Sequence, residues 1–287
     1  MSATSVITGQ PGCALPFFLQ AAPGQRFCLL HAPPNAQPGR GAIVYVHPFA
    51  EEMNKSRRMA ALQARALAKL GFWVLQIDLY GCGDSSGEFG AARWAIWKND
   101  LALACDWLMQ QTALPLTLWG LRLGALLALD FAFDASFAIE RLLLWQTVIN
   151  GKTYMSQFLR LQLASQMLGD DATENGGGAG AMGALRRDLA AGIAVEVAGY
   201  MLGPELVAQI EQRDAASLAP HCPAHWFELT PAASLELPPA TRQLAKSWRG
   251  ADLQWHALPA APGAQFWSSI EIMESQALLS ATCKAFS

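Results

Sequence analysis

Short apolar runs alternate with segments of helical period over most of the chain, and this alternation limits the fold more than any other feature. Phe17 to Gln20, Arg26 to His31, Ile43 to Val46, Trp73 to Asp78, Leu116 to Trp119 and Arg141 to Thr147 have the length and composition of strands. Between them, Ser56 to Leu70 places Met59, Leu62, Ala66 and Leu70 at helical spacing. Ala91 to Gln110 does the same with Trp94, Trp97, Leu101, Cys105 and Leu108, and Leu123 to Phe133 follows as a third helix. A strand–helix repeat of this kind predicts a parallel sheet wrapped by helices.

The alternation stops after Asn150. Residues 151–220 are mostly of helical character, interrupted by the glycine run ENGGGAG at 174–180, which suits a flexible connection. It resumes with a strand at His225 to Leu229, a helix at Ala240 to Trp248, a strand at Leu253 to Ala257 and a final helix at Ser268 to Ala285. No internal repeat is present. The expectation is one α/β core built from residues 1–150 and 221–287, with residues 151–220 as a helical cap inserted after the sixth strand.

Composition excludes several classes. The 287 residues are 52% hydrophobic and 15% charged, enough for a large core. A net charge of −3 gives no basic surface for nucleic acid. The N-terminal MSATSVITGQPG has no basic region followed by an apolar run, so no signal peptide is expected. The apolar stretch 118–149 carries Arg122, Asp130, Asp134, Glu140 and Arg141, which argues against a membrane span. Six cysteines are scattered without a C-x-x-C pair, which fits a reduced, cytoplasmic chain. No His/Cys cluster has metal-ligand spacing, and no metal or cofactor is expected.

The chemistry-bearing motif is WGLRLG at 119–124. Strand, G-x-R-x-G and helix follow in the order that, with serine in the centre, presents a nucleophile on a sharp turn. Residues 44–49, VYVHPF, are a strand running into a loop, and residues 78–87, DLYGCGDSSG, follow the next strand. Both are similar to the loops after the third and fourth strands of α/β-hydrolases. A dinucleotide fingerprint is the competitor for the second loop, but Gly81, Gly83 and Gly87 miss G-x-G-x-x-G by one residue.

The stretch HPFAEEMNKSRRM at 47–59, with GLRLGA at 120–125, QFLR at 157–160 and FW at 266–267, resembles the second type of exosortase A system-associated hydrolase. That family lies within the α/β-hydrolase superfamily. The resemblance covers nearly the whole chain. It implies an α/β-hydrolase fold, a link to bacterial exopolysaccharide and PEP-CTERM sorting systems, and hydrolysis.

The residues speak separately on hydrolysis. A serine hydrolase needs a nucleophile, a histidine base, an orienting acid and an oxyanion hole. Arg122 occupies the nucleophile position, and a guanidinium has no lone pair with which to attack. The histidines are His31, His47, His221, His225 and His256, and none lies in the last loop, where Gln265 stands in the base position. Glutamine does not titrate. After the sixth and seventh strands no acid is evident, Glu236 being the nearest carboxylate. The backbone N–H groups of Leu123 and Phe49 remain available as oxyanion donors, since they do not depend on side-chain identity.

The expected site therefore contains His47, Phe49, Glu51, Glu52, Arg122, Leu123 and Gln265. Arg122 with two backbone donors suits a carboxylate or phosphate. The plainer reading of Arg122 is an internal pair with Glu51 or Glu52, since buried charges are paired. A small anionic ligand, an acyl substrate or a protein of the exopolysaccharide and exosortase system is the expected partner. An alternative is hydrolysis with Glu51 activating water against an ester held by Arg122. His47 is expected to orient its loop, Ser85 and Ser86 to brace their turn, and Cys82 to be inert. Lys152, Arg160, Arg186 and Arg187 read as solvated faces.

Overall fold

The computed structural model describes residues 14–34, 39–135, 137–168, 178–231, 235–260, 265–269 and 271–287. The N-terminal twelve residues, Cys13, the start of the glycine run and residues 263–264 of the last loop, all used above, lie outside the described residues.

Ten strands run in chain order: β1 (Ala14–Gln20), β2 (Gln25–His31), β3 (Gly41–Val46), β4 (Phe72–Ile77), β5 (Leu116–Leu121), β6 (Ile139–Trp145), β7 (Val195–Val197), β8 (Tyr200–Leu202), β9 (Ala224–Pro231) and β10 (Leu253–Ala260). Eight of them form one sheet in the order β1-β2-β4-β3-β5-β6-β9-β10. The β1–β2 and β2–β4 pairs are antiparallel, and the rest are parallel. The central strands β3 and β5 are buried at every position, as strands covered on both faces must be.

Helices α1 (Glu51–Lys69) and α8 (Gln276–Ala285) cover one face, while α2 (Trp94–Thr112) and α3 (Leu123–Asp134) cover the other. Trp94, Trp97, Leu101, Cys105 and Leu108 are all buried in the core on the α2 and α3 face, so the tryptophan stripe packs inward. Helix α3 is buried on nearly every side and needs no polar face.

Three element boundaries differ from the sequence expectation. Helix α1 begins at Glu51, not Ser56, so Glu51 and Glu52 lie in a first helical turn, where acidic side chains suit the helix dipole. Residues 89–91 form a separate 3-10 turn, and α2 starts at Trp94. The last helix starts at Gln276, capped by the Ser275 side chain, which accepts from the Leu278 N–H.

The insertion contains α4 (Gly151–Leu168), α5 (Gly178–Ala190) and α6 (Pro204–Glu211), and it also holds the β7–β8 hairpin. Its two ends meet at a neck. Asn150 Nδ2 donates to Asp214 Oδ2 at 2.9 Å, the Gly151 N–H to Arg213 O at 2.9 Å, and the Ala215 N–H to Ile149 O at 2.8 Å. Phe49 ties the insertion to the core, its ring lying 5.0 Å from Phe158 and 6.1 Å from Tyr154 of α4. Arg186, expected on a solvated face, is bonded instead to Glu211 and, at 2.7 Å, to Ser156 Oγ.

Candidate functional site

β3 and β5 are neighbours in the sheet although α1, β4 and α2 separate them in the chain. Their C-terminal turns therefore meet at the carboxyl edge, the usual ligand position in such sheets. Both turns are strained in the same way. Arg122, between β5 and α3, has φ 56° and ψ −122°, and Ala50, between β3 and α1, has φ 50° and ψ −129°. Such conformations cost about 1–3 kcal/mol each in a non-glycine residue. The Arg122 turn is held by its N–H donating to Trp145 O at 3.0 Å and by its carbonyl accepting from the N–H groups of Ala125 and Val148. The flanking glycines are required by close approach. A Cβ on Gly124 would lie 2.3 Å from His47 O, and one on Gly120 would lie 2.3 Å from Ala125 Cα.

The Arg122 side chain leaves this turn toward the first turn of α1. Its Nε and Nη2 both approach Glu52 Oε1 at 3.4 Å, and Nη1 approaches Gln146 O at 3.4 Å. The guanidinium sits 5.7 Å from the Tyr154 ring centroid and 5.3 Å from that of Trp267. The two side chains of the ion pair keep 21% and 17% of their surface exposed, so the pair is reachable from solvent.

Around it, Glu52 Oε2, the Tyr154 hydroxyl and Thr147 Oγ1 are buried without a hydrogen-bond partner among the described residues. Tyr154 and Glu52 lie close enough to couple electrostatically. Burial pushes the Glu52 carboxyl above the usual carboxylate range, and the Arg122 charge pulls it part of the way back. Burial likewise raises the Tyr154 hydroxyl, and the Glu52 charge adds to the shift.

Behind Arg122 lies a second buried carboxylate. Glu228 Oε1 accepts from Trp226 Nε1 at 2.8 Å and from Thr241 Oγ1 at 3.0 Å. Gln146 has φ 48°, and its amide, oriented so that both ends are satisfied, donates to Glu228 Oε2 at 3.0 Å and accepts from the Leu229 N–H. Burial raises the Glu228 pKa, while its hydrogen bonds and Arg122 lower it. Gln146 thus links Glu228 to the carbonyl that holds Arg122.

The expected residues divide. Arg122, Glu52, Phe49 and Leu123 share the carboxyl edge. Neither Phe49 nor Leu123 has a protein acceptor for its N–H among the described residues, Leu123 being the first residue of its helix. His47 bonds to backbone at both ring nitrogens: Nδ1 to Pro48 O at 2.7 Å, and Nε2 accepting from the Leu79 N–H at 3.1 Å. Accepting at Nε2 requires a neutral ring, and burial lowers the His47 pKa accordingly.

Two residues point elsewhere. Glu51, one residue from Glu52, is exposed and accepts from Asn54 Nδ2 at 3.1 Å and the Tyr200 hydroxyl at 3.2 Å, so the carboxylate at Arg122 is that of Glu52. Gln265 is exposed and bonds to Ser268, while the neighbouring Trp267 turns toward Arg122. Tyr154, Gln146, Thr147, Glu228 and Trp267 are site residues that no local spacing announces.

No histidine takes the base position among the described residues. His256 stacks on Phe227 at 4.2 Å and pairs with His225 at 3.1 Å. It lies three strands from β5, about 14 Å across the sheet. Ser85 Oγ accepts from the Phe27 N–H at 2.9 Å and Ser86 Oγ from the Gln25 N–H at 3.0 Å, which braces the glycine loop against β2. Cys82 is buried, and burial pushes its thiol far up, away from the reactive thiolate.

Solved structures share this architecture. A soluble variant of monoglyceride lipase from Saccharomyces cerevisiae, in complex with a substrate analogue, superposes with a TM-score of 0.66 at 14% identity, covering 99% of this chain and 97% of its own. Est1E from Butyrivibrio proteoclasticus, with ferulic acid bound, gives 0.64 at 14% identity over 94% and 96%. Proline iminopeptidase from Mycobacterium smegmatis gives 0.59 at 14% identity over 95% and 97%. The chain has the α/β-hydrolase fold. Residues 37–174 also match the sequence profile of the serine aminopeptidase S33 family. No curated protein matches the sequence significantly. Arg122 sits at the sharp turn, or elbow, between the fifth strand and the helix that follows it, at the centre of the G-x-R-x-G motif.

Proposed function

We propose that this α/β-hydrolase-fold protein binds a small anion over Arg122 and performs no serine acyl-enzyme chemistry. On the family resemblance, it would do so in the cytoplasm as a non-catalytic component of an exopolysaccharide and exosortase A (PEP-CTERM) system. The observation carrying this is the state of the Arg122 guanidinium: three contacts, all at 3.4 Å, to one carboxylate oxygen and one carbonyl.

Charge-assisted hydrogen bonds of this kind are commonly about 2.7–2.9 Å long. Arg122 has five donors, so its bonding capacity is underused. A ligand carboxylate or phosphate gains the fork, the N–H groups of Phe49 and Leu123, and the positive end of α3. It must displace Glu52, whose burial already disfavours its charge. Affinity is therefore modest, and Glu52 acts as the resident stand-in for the ligand.

The test is calorimetric titration of glucuronate, glycerol phosphate and octanoate into wild type and Arg122→Gln. At least one should bind wild type, and the substitution should weaken it roughly ten-fold or more, the worth of a charge-assisted hydrogen bond. Equal binding to both proteins removes the anion site.

The unpartnered Glu52 Oε2 beside the Tyr154 hydroxyl favours one second reading. In it, water activated by a carboxylate attacks an ester whose developing charge meets Arg122. The carboxylate would be Glu52, since Glu51 faces Tyr200. Turnover of nitrophenyl esters by wild type, lost in Glu52→Gln and kept in Glu51→Gln, selects this reading over the first.

A further inference from the structure

A cavity of about 190 Å³ lies under the opposite face of α1 from solvent, between that helix and strands β2, β3 and β4. It exists because α1 presents Ala60 and Ala61 where larger side chains would meet the sheet. Phe27, Leu29, Met53 and Ile77 form its apolar body. Gln76 and His47 on its wall are bonded to His31 and to backbone, which leaves the Tyr45 hydroxyl, the Asp78 carboxylate and the half-exposed Arg57 guanidinium as its other polar groups. The cavity stands back to back with the Arg122 site, since its walls include His47 and the residue following Glu52.

These polar groups fix the ligand's character. Arg57 Nη2 meets Asp78 Oδ2 at 3.2 Å, so the two charges neutralise each other. Asp78 Oδ2 also accepts from the Asp84 N–H at 3.1 Å, whereas Asp78 Oδ1 and the Tyr45 hydroxyl have no hydrogen-bond partner among the described residues. Burial keeps the Tyr45 hydroxyl protonated and hence a donor. An acceptor and a donor on the wall of one cavity suit a group that both donates and accepts. A charged ligand would leave Arg57 or Asp78 uncompensated in a partly buried place. Size sets the remainder: an engineered apolar cavity of about 150 Å³ holds benzene, so this one holds a ring with a polar substituent.

We propose that this cavity is a second binding site, for a small neutral phenol or alcohol. The apolar body of the ligand lies on Phe27, Leu29 and Met53. Its hydroxyl donates to Asp78 Oδ1 and accepts from the Tyr45 hydroxyl. The site is independent of any ligand at Arg122.

Phenol serves as the probe, followed by ligand-observed NMR titration. Wild type should bind it saturably. Ala61→Phe and Leu29→Phe, which fill the cavity from α1 and from β2, should each abolish binding while the thermal midpoint holds. Two fillers are needed so that one misfolded variant does not decide the matter. Tyr45→Phe should weaken phenol roughly three- to ten-fold, the worth of one neutral hydrogen bond, and leave toluene unchanged. Arg122→Gln should have no effect. The proposal is overturned by phenol binding equally to wild type and both fillers, by loss of binding in Arg122→Gln, or by no binding up to the solubility of phenol.

Discussion

Arg122 directs two nitrogens, Nε and Nη2, at a single oxygen of Glu52, each at 3.4 Å, across the gap between two strained strand-to-helix turns. Seventy residues separate the pair in sequence. Adjacency of β3 and β5 brings them together, and Ala50 and Arg122 share the same positive-φ backbone at the two turns. At the turn between β5 and α3 this chain places a cation with a resident carboxylate.

Serine acyl-enzyme formation should be absent. Arg122 stands at the elbow, Ser85 and Ser86 are committed to backbone groups of β2, and both ring nitrogens of His47, which adjoins the elbow, are committed to backbone groups. Incubation with a fluorophosphonate probe followed by intact mass should show unmodified protein. Stoichiometric addition to any serine contradicts the account.

Arg122→Ser should not create an esterase, because the base is missing as well and triad members act as a unit. It should destabilise the fold, since Glu52 then keeps its burial and loses its counter-charge. Breaking a fully buried pair costs about 3–5 kcal/mol. This pair is partly exposed and long, so about 1–2 kcal/mol is expected. That corresponds to a fall of roughly 2–8 °C in Tm for a chain of this size. Arg122→Ser with Glu52→Gln should recover most of the loss. Additive losses in the double variant would show that the two side chains are not coupled.

The sheet was readable in the sequence because its strands are short apolar runs, and all eight appear where such runs lie. The elbow was readable because two glycines forced by backbone contact flank it. The first turn of α1 was not, because EEMNK has almost no apolar period to reveal it. The β7–β8 hairpin has strands of three residues, too short for alternation to register. The site was half readable. Arg122, Glu52, Phe49 and Leu123 sit on recognisable turns, whereas Tyr154, Gln146, Glu228 and Trp267 arrive from elements that only tertiary packing brings together. Glu51 and Glu52 were indistinguishable as letters. Helical rotation decides between them, sending one to Tyr200 and the other to Arg122.

Gly124→Ala should be among the most damaging single-methyl changes in the protein. The added Cβ would stand 2.3 Å from His47 O and 2.4 Å from Val46 O, both backbone atoms that cannot move aside without shifting β3 against α3. A cost of about 3 kcal/mol or more is expected from such overpacking. Gly180→Ala, at a position with no neighbour within 4 Å, is the control and should melt like wild type. Equal melting temperatures for the two variants contradict the close packing of the elbow.

Anion binding should depend on pH through Glu52. Its folded pKa is raised, so the folded state holds the proton more tightly than the unfolded chain. The associated stability is fully present below the unfolded value and is lost as pH rises through the folded one. Protonation also removes the competitor for Arg122, so affinity for anions should rise as pH falls through that same window, above the ordinary glutamate range. Glu228, raised by burial too, acts in the same direction. Titrations across the acidic range should show the rise in wild type and a flatter profile in Glu52→Gln. Affinity that falls on acidification in wild type contradicts the assignment.

The central claim is that the Arg122 guanidinium receives the anion, and nitrogen-15 NMR of arginine Nε–H groups reads that contact directly. The Arg122 resonance is assigned as the one missing from Arg122→Gln. On titration with acetate and with inorganic phosphate at mildly acidic pH, this resonance should shift saturably, and it should saturate at lower concentration in Glu52→Gln. A resonance that stays in place while other arginines respond would mean that Arg122 serves only to pair with Glu52.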